Sequence, residues 1–343
     1  MDSAATSSMD WRGQLRRNER RTRIVMVMFV VIYLGLGFLF DVTINAQPSM
    51  GSTAVPDLSQ VAIALLTFHL IPYVTLITGT VAIFSLWITF HFHRQLVMLG
   101  TTYKQVLPTS TVLEEKQLYN VVEEMKVAAG LRFMPEVYII EADYMNAFAS
   151  GYSERSALVA ITRGLLTKLD RSELQAVMAH ELSHVRHQDI KLTLVATLLA
   201  NFSLIVIDLL FYTIFMGKKR DVRVEIVIIL LRYILPLITI ILLLYLSRTR
   251  EYMADAGCVE LMRDNGPLGR ALLKIDGDHT ANRESYAKAY ANQGHEALRT
   301  TAYLYDPSLA GISAGSGLTS LFSTHPSIKS RLAALGYNTT KNG

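Results

Sequence analysis

The chain has 343 residues, 51% of them hydrophobic, and a mean hydropathy of +0.29, a balance too apolar for an ordinary soluble enzyme and one that points to membrane spans. A single cysteine, Cys258, excludes an intrachain disulfide and fits a reducing compartment. The net charge of +4 owes much to an arginine-rich start, which reads as a topology and lipid-headgroup signal and gives no reason to expect nucleic-acid binding.

In chain order, Arg12, Arg16, Arg17, Arg20, Arg21 and Arg23 form a basic tail over 1–23. Two apolar stretches follow within 24–93. Ile24 to Phe40 is nearly free of polar residues, and Val61 to Phe90 carries His69 and Pro72; both are predicted membrane helices. The loop from Asp41 to Gln60 has no Lys or Arg, whereas Arg94 and Lys104 follow the second stretch. The positive-inside rule therefore puts the N-terminus and everything after about residue 91 in the cytoplasm. The alternative for the start is a cleavable signal peptide with Ala46 as a weak cleavage site. The long apolar run and long arginine tail oppose it.

After a linker to Pro108, Thr111-Val112-Leu113-Glu114 has a capping-box pattern, and Leu118, Val121, Val122 and Met125 recur at helical spacing. Glu136 to Ile140 reads as a strand and Ser156 to Thr162 as another, with Gly151 to Glu154 as the turn between them. Asp170-Arg171-Ser172-Glu173 is a second capping box. It opens a helix whose apolar stripe is Leu174, Val177, Met178 and Leu182.

That helix carries His180-Glu181-Leu182-Ser183-His184, an H-E-x-x-H pattern. Two histidines four residues apart lie one turn apart on one helix face and can converge on one metal ion, while Glu181 can take a proton from a metal-bound water. The competing reading is a polar helix face with surface histidines. His187, one turn past His184, is a rival ligand or a surface or outer-sphere residue. A third ligand is needed. Glu251 is the best candidate, against the plain reading of a solvated glutamate beside Arg248 or Arg250. Asp255, four residues on, can accept the second N–H of a ligating histidine.

Between the histidines and Glu251 lie Leu192 to Met216, with Asn201 and Asp208, and Ile226 to Leu246, with Arg232 and Pro236. Because His180 and Glu251 must meet, this hairpin over 190–247 crosses the membrane twice or not at all. Two crossings put the basic turn Gly217 to Arg223 on the outer side, against the charge rule, yet they remain the preferred reading. From Asp276 to Pro307 the chain is polar and reads as a flap or insertion, and Ser327 to Leu335 as a short helix.

Taken together, Asn146-Ala147-Phe148-Ala149, His180 to His184 with Asp189, Arg250-Glu251 with Ala254-Asp255, and His325-Pro326 with Arg331 resemble the HtpX-like membrane zinc metalloproteases, related to the CAAX prenyl proteases. The resemblance covers about residues 20 to 335. It implies a mainly α fold with a small β-sheet: a multi-helix membrane part plus a cytoplasmic zincin-type metalloprotease domain split into 94–189 and 248–343. It implies one zinc ion held by His180, His184 and Glu251, with Glu181 as general base and His325 stabilising the oxyanion. Asp255 and Arg331 support the ligands, and Asn146, Ala147, Phe148 and Ala149 form the edge along which substrate lies.

The function implied is an endopeptidase in the cell inner membrane, cleaving damaged or misfolded membrane proteins. Its expected partners are protein or peptide substrates, the lipid bilayer and membrane quality-control factors. The alternatives are a protease for prenylated tails, a non-enzymatic zinc-stabilised membrane adaptor, and a zinc hydrolase for non-peptide substrates.

Overall fold

A computed structural model describes residues 11–45, 57–191, 208, 226, 229, 230, 232–234, 250–292, 299, 302–312 and 325–337. They divide into two compact units, with Thr22–His91 in one and the run from Phe92 to residue 191, together with residues 250–337, in the other.

The first unit is helical. Helix α1 spans Trp11–Asn45, α2 Leu58–Leu66 and α3 Tyr73–His91. The single span expected over Val61 to Phe90 is thus two helices. The chain breaks after Thr67, where Phe68 takes a left-handed φ of 57° and Pro72, lacking an N–H, directly precedes α3. Among the described residues, Tyr73–His91 is the one helix long and apolar enough to cross a membrane, and Met26–Val42 within α1 is a shorter apolar stretch.

Helix α3 begins with backbone N–H groups that have no helical acceptor. Asp41 of α1, only 3% exposed, supplies one. Its carboxylate accepts from Val74 N at 3.0 Å, Thr75 N at 2.7 Å and Thr75 Oγ1 at 2.7 Å. The helices can come this close because Gly37 faces Thr75 and Thr78. A Cβ at Gly37 would lie 2.6 Å from Thr75 Cα.

The third and fourth apolar segments, the basic turn between them and the first ten residues lie mostly outside the described residues. Two of the positions described there do bear on the charges inside these segments. Arg232 Nη2 sits 3.2 Å from Asp208 Oδ1, so each offsets the other.

The second unit holds a four-stranded sheet in the order β1-β2-β4-β3, from β1 Tyr103–Val106, β2 Glu136–Ile140, β3 Ala147–Ser150 and β4 Leu158–Thr162. β2 and β4 are parallel and the outer pairs antiparallel. β1 falls in the stretch expected to be linker. Three of its four residues are exposed, so it lacks the alternation that marks a strand. α4 (His93–Met98) precedes it. α5 (Leu113–Ala128), α6 (Arg163–Lys168) and α7 (Arg171–His187) follow, then α8 over residues 250–262, α9 (Gly266–Ala281), α10 (Arg283–Asn292) and α11 (Ile328–Ala334). Part of the stretch expected to be a polar flap is therefore helix.

Helices α5 and α7 share one core with the sheet. Leu118, Val121, Val122, Val137, Ile139, Val159, Ile161, Leu174, Val177 and Leu182 are all buried in it. Asp170 caps α7 reciprocally with Glu173, as the sequence predicts. The box expected at Thr111 does not form. Ser110 Oγ instead accepts from Val112 N and donates to Glu115 Oε2 at 2.6 Å.

Replacing Asp41 by Ala removes the acceptor for three bonds at the α1–α3 contact. It is expected to lower stability by on the order of 2–3 kcal/mol, with Asn intermediate, measured as the thermal unfolding shift in detergent. An unchanged transition would mean that Asp41 does not cap α3.

Candidate metal centre

The site is built where α7 meets α8. His180 and His184, on one face of α7, are 0% and 7% exposed. Their Nε2 atoms lie 3.2 Å apart. From α8, Glu251 brings Oε2 to 3.7 Å from His180 Nε2 and Oε1 to 3.8 Å from His184 Nε2. These three residues form the metal-compatible cluster among the described residues.

Each ring's other nitrogen meets a carboxylate. His180 Nδ1 is 3.0 Å from Asp255 Oδ1, and His184 Nδ1 is 2.9 Å from Asp189 Oδ2. An ionised carboxylate only accepts, so each Nδ1 carries a proton and each Nε2 faces the other ring. Two Nε2 atoms 3.2 Å apart beside an anionic carboxylate call for a positive charge between them, a shared proton or a metal ion. Donors bonded at about 2.0–2.1 Å to one tetrahedral ion lie about 3.4 Å apart, so the residues fit a metal such as zinc.

Asp189 stands in the motif that carries the resemblance, but no site role was expected of it. It reaches His184 because α7 ends at Gln188 in a left-handed conformation, φ 54°, which turns the next residue back under the helix. Arg250 Nε, 3.3 Å from Asp189 Oδ2, joins the two parts of the unit at this point. Burial alone would raise the Asp189 pKa, but His184 and Arg250 outweigh it and hold the carboxylate below its ordinary value.

Asp255 is grasped by Arg331, with Nε at 2.9 Å from Oδ2 and Nη2 at 2.6 Å from Oδ1. Burial opposes ionisation of Asp255, and the guanidinium outweighs it. Arg331 Nη1 also stands 3.7 Å from Glu251 Oε2 and donates to Leu304 O at 2.8 Å. His325 Nδ1 is 3.4 Å from Glu251 Oε2. Although burial raises the Glu251 pKa, the neighbouring histidines bring it well below the usual value.

Glu181 is 1% exposed, and neither carboxylate oxygen has a hydrogen-bond partner among the described residues. Burial raises its pKa above the ordinary carboxylate value. His187 is buried beside Gly257 and is not in the ligand cluster. Gly257 lets α8 approach α7, since a Cβ there would lie 2.6 Å from Ser183 Oγ.

The edge residues Asn146, Ala147, Phe148 and Ala149 are buried, and the first three have partners within the chain. Asn146 Nδ2 donates to Tyr305 O at 2.9 Å, and its Oδ1 accepts from Tyr305 N at 3.2 Å. Ala147 O accepts from Leu304 N at 2.8 Å, and Phe148 bridges Tyr303. The Asn146 side chain is thus engaged by residues 159 positions away, a partner no local pattern announces.

Burial pulls the His180 pKa down, but hydrogen bonds to Asp255 and Glu251 outweigh this and lift it to about 9. Below that pH a proton competes for the metal's seat, so metal affinity should rise with pH up to about 9, roughly tenfold per unit for one displaced proton. Asp189→Asn should weaken metal binding about 10–100-fold through loss of the anionic acceptor for His184. Chelator competition from pH 6 to 9 measures both effects. A flat pH profile, or wild-type affinity in the variant, would contradict the arrangement.

The chain matches peptidase family M48 over residues 112–339. A protein named Protease HtpX homolog from Helicobacter pylori (strain Shi470) is 38% identical over 327 residues, covering 94% of this chain and 96% of the relative. The protein of that name from Bacteroides fragilis (strain YCH46) is 30% identical over 337 residues, covering 94% and 97%. Among solved structures, the crystal structure of S. mikatae Ste24p is similar with a TM-score of 0.46 and 17% identity, covering 80% of this chain and 64% of that one. With its H-E-x-x-H helix and buried ligand cluster inside the matched region, and relatives aligned along nearly its whole length, the chain belongs to peptidase family M48.

Proposed function

We propose that the protein is a membrane-embedded zinc-dependent endopeptidase that cleaves damaged or misfolded membrane proteins on the cytoplasmic side. One observation carries the reading: the Nε2 atoms of His180 and His184 and the Glu251 carboxylate converge beside the buried Glu181 carboxylate, which has no hydrogen-bond partner among the described residues. His180, His184 and Glu251 hold the ion, which when bound supplies the Lewis acidity that makes water nucleophilic near neutral pH. Glu181 takes the proton from the attacking water at a carboxylate oxygen and returns it to the leaving nitrogen. Asp255 and Asp189 fix the tautomers of the two rings, and Arg331 holds Asp255 in place. His325, whose Nδ1 lies 3.4 Å from Glu251, is the donor we assign to offset the negative charge that develops on the carbonyl oxygen. A zinc-stabilised adaptor has no use for a buried Glu181 that has no hydrogen-bond partner among the described residues.

Glu181→Gln should retain one metal per chain while kcat falls about 10²–10⁴-fold on a casein or peptide substrate. Cleavage at the wild-type rate by the metal-loaded variant would refute the mechanism. Comparison of prenylated peptide with an unfolded membrane protein separates this substrate class from prenylated tails.

For the topology, we infer that the segments Leu192 to Met216 and Ile226 to Leu246 both cross the bilayer. Lys219→Cys should then react with an impermeant thiol reagent added from outside, and reaction from the cytoplasmic side alone would refute two crossings.

A further inference from the structure

β3 is an edge strand of the sheet, and its outer side is taken by the chain itself. Leu304 N donates to Ala147 O at 2.8 Å, and Tyr303 pairs antiparallel with Phe148. The Asn146 amide clasps Tyr305 from both sides, donating to its carbonyl and accepting from its N–H. Arg331 Nη1 donates to Leu304 O at 2.8 Å and lies 3.7 Å from Glu251 Oε2, so the strand runs one side chain away from the metal ligands. All these bonds go to main-chain atoms of residues 303–305. That is how a protein holds an added strand of any sequence, with selectivity left to the pockets that receive the side chains.

We propose that Tyr303-Leu304-Tyr305 is an internal stand-in for substrate, which an incoming peptide must displace from the edge beside the metal site. The proposal rests on the peptidase reading and deepens it by naming the substrate class. Leu304 is buried in the hydrophobic core, Tyr303 meets Phe148 edge-on at 5.7 Å, and the Tyr305 ring lies 4.4 Å from that of His279. A substrate taking the same place is an extended apolar segment, with an aliphatic residue where Leu304 sits and large, mainly aromatic residues on either side. Polar flexible chains do not fill these pockets. Displacement remakes every main-chain bond, so recognition reduces to competition between two strands. The apparent affinity for peptide is then lowered by the fraction of molecules in which the internal strand is bound.

The Phe148–Tyr303 pair is flanked by the Leu304–Ala147 bond, which makes it a non-hydrogen-bonded pair whose Cα separation of about 4.5 Å suits a disulfide. In a Cys258→Ser background, the full-length double variant Phe148→Cys/Tyr303→Cys, loaded with zinc, should lose at least tenfold of its cleavage of a Tyr-Leu-Tyr-centred fluorogenic peptide when oxidised. Reduction should restore it without changing metal content. Equal cleavage in both redox states would overturn the proposal and make residues 303–305 a permanent strand.

A second measurement needs no cysteine pair. In metal-loaded Glu181→Gln, saturating peptide should speed hydrogen exchange at the Leu304 and Tyr305 amides at least tenfold. Bound peptide with unchanged exchange overturns the proposal and leaves the peptidase reading standing. Absence of both peptide binding and wild-type cleavage refutes the peptidase reading, and the proposal with it.

Discussion

The arrangement turns on two imidazole Nε2 atoms held 3.2 Å apart in a dry interior, a contact that a shared proton or a metal ion must bridge. Neither ring can rotate away, because its far nitrogen is bonded to a carboxylate, and those carboxylates are fixed by Arg331 and Arg250. Four buried carboxylates (Glu181, Asp189, Glu251, Asp255) face two guanidiniums, and buried negative charge without a partner is costly, so the cluster favours a positive charge, a proton or a metal ion, at the histidine pair.

What could be read from the sequence was local. The Asp170–Glu173 cap and the histidines one turn apart need only the repeat of one helix, and both form as expected. The distance from Glu251 to the histidines is not a local property. Spacing left it open, and only the resemblance across several motifs pointed to it. Asp189 belonged to the motif behind the resemblance but was given no role, because its reach depends on one left-handed residue, Gln188. The β1 strand escaped notice because its exposed YKQV pattern resembles a loop, and the break in the second apolar stretch was hidden by uninterrupted hydrophobicity despite Pro72.

Asn146 illustrates a different limit. Its place just before the edge strand was expected from the resemblance, but its side chain bonds to the main chain of Tyr305. An amide that can clasp a foreign strand can equally clasp the chain's own, and nothing in a four-residue motif tells the two apart. The same economy appears in the helical unit, where Asp41 completes the start of a helix more than thirty residues downstream.

Gly257 carries no functional group, yet it bears on where Glu251, the third candidate ligand, sits. It lies six residues beyond Glu251 on α8, and the room a side chain would need is already filled by Ser183 of α7. The smallest enlargement would act as a wedge between the two ligand-bearing rods and swing the carboxylate outward. The catalytic reach of this protein is therefore bounded by a hydrogen atom at a position that neither binds nor reacts.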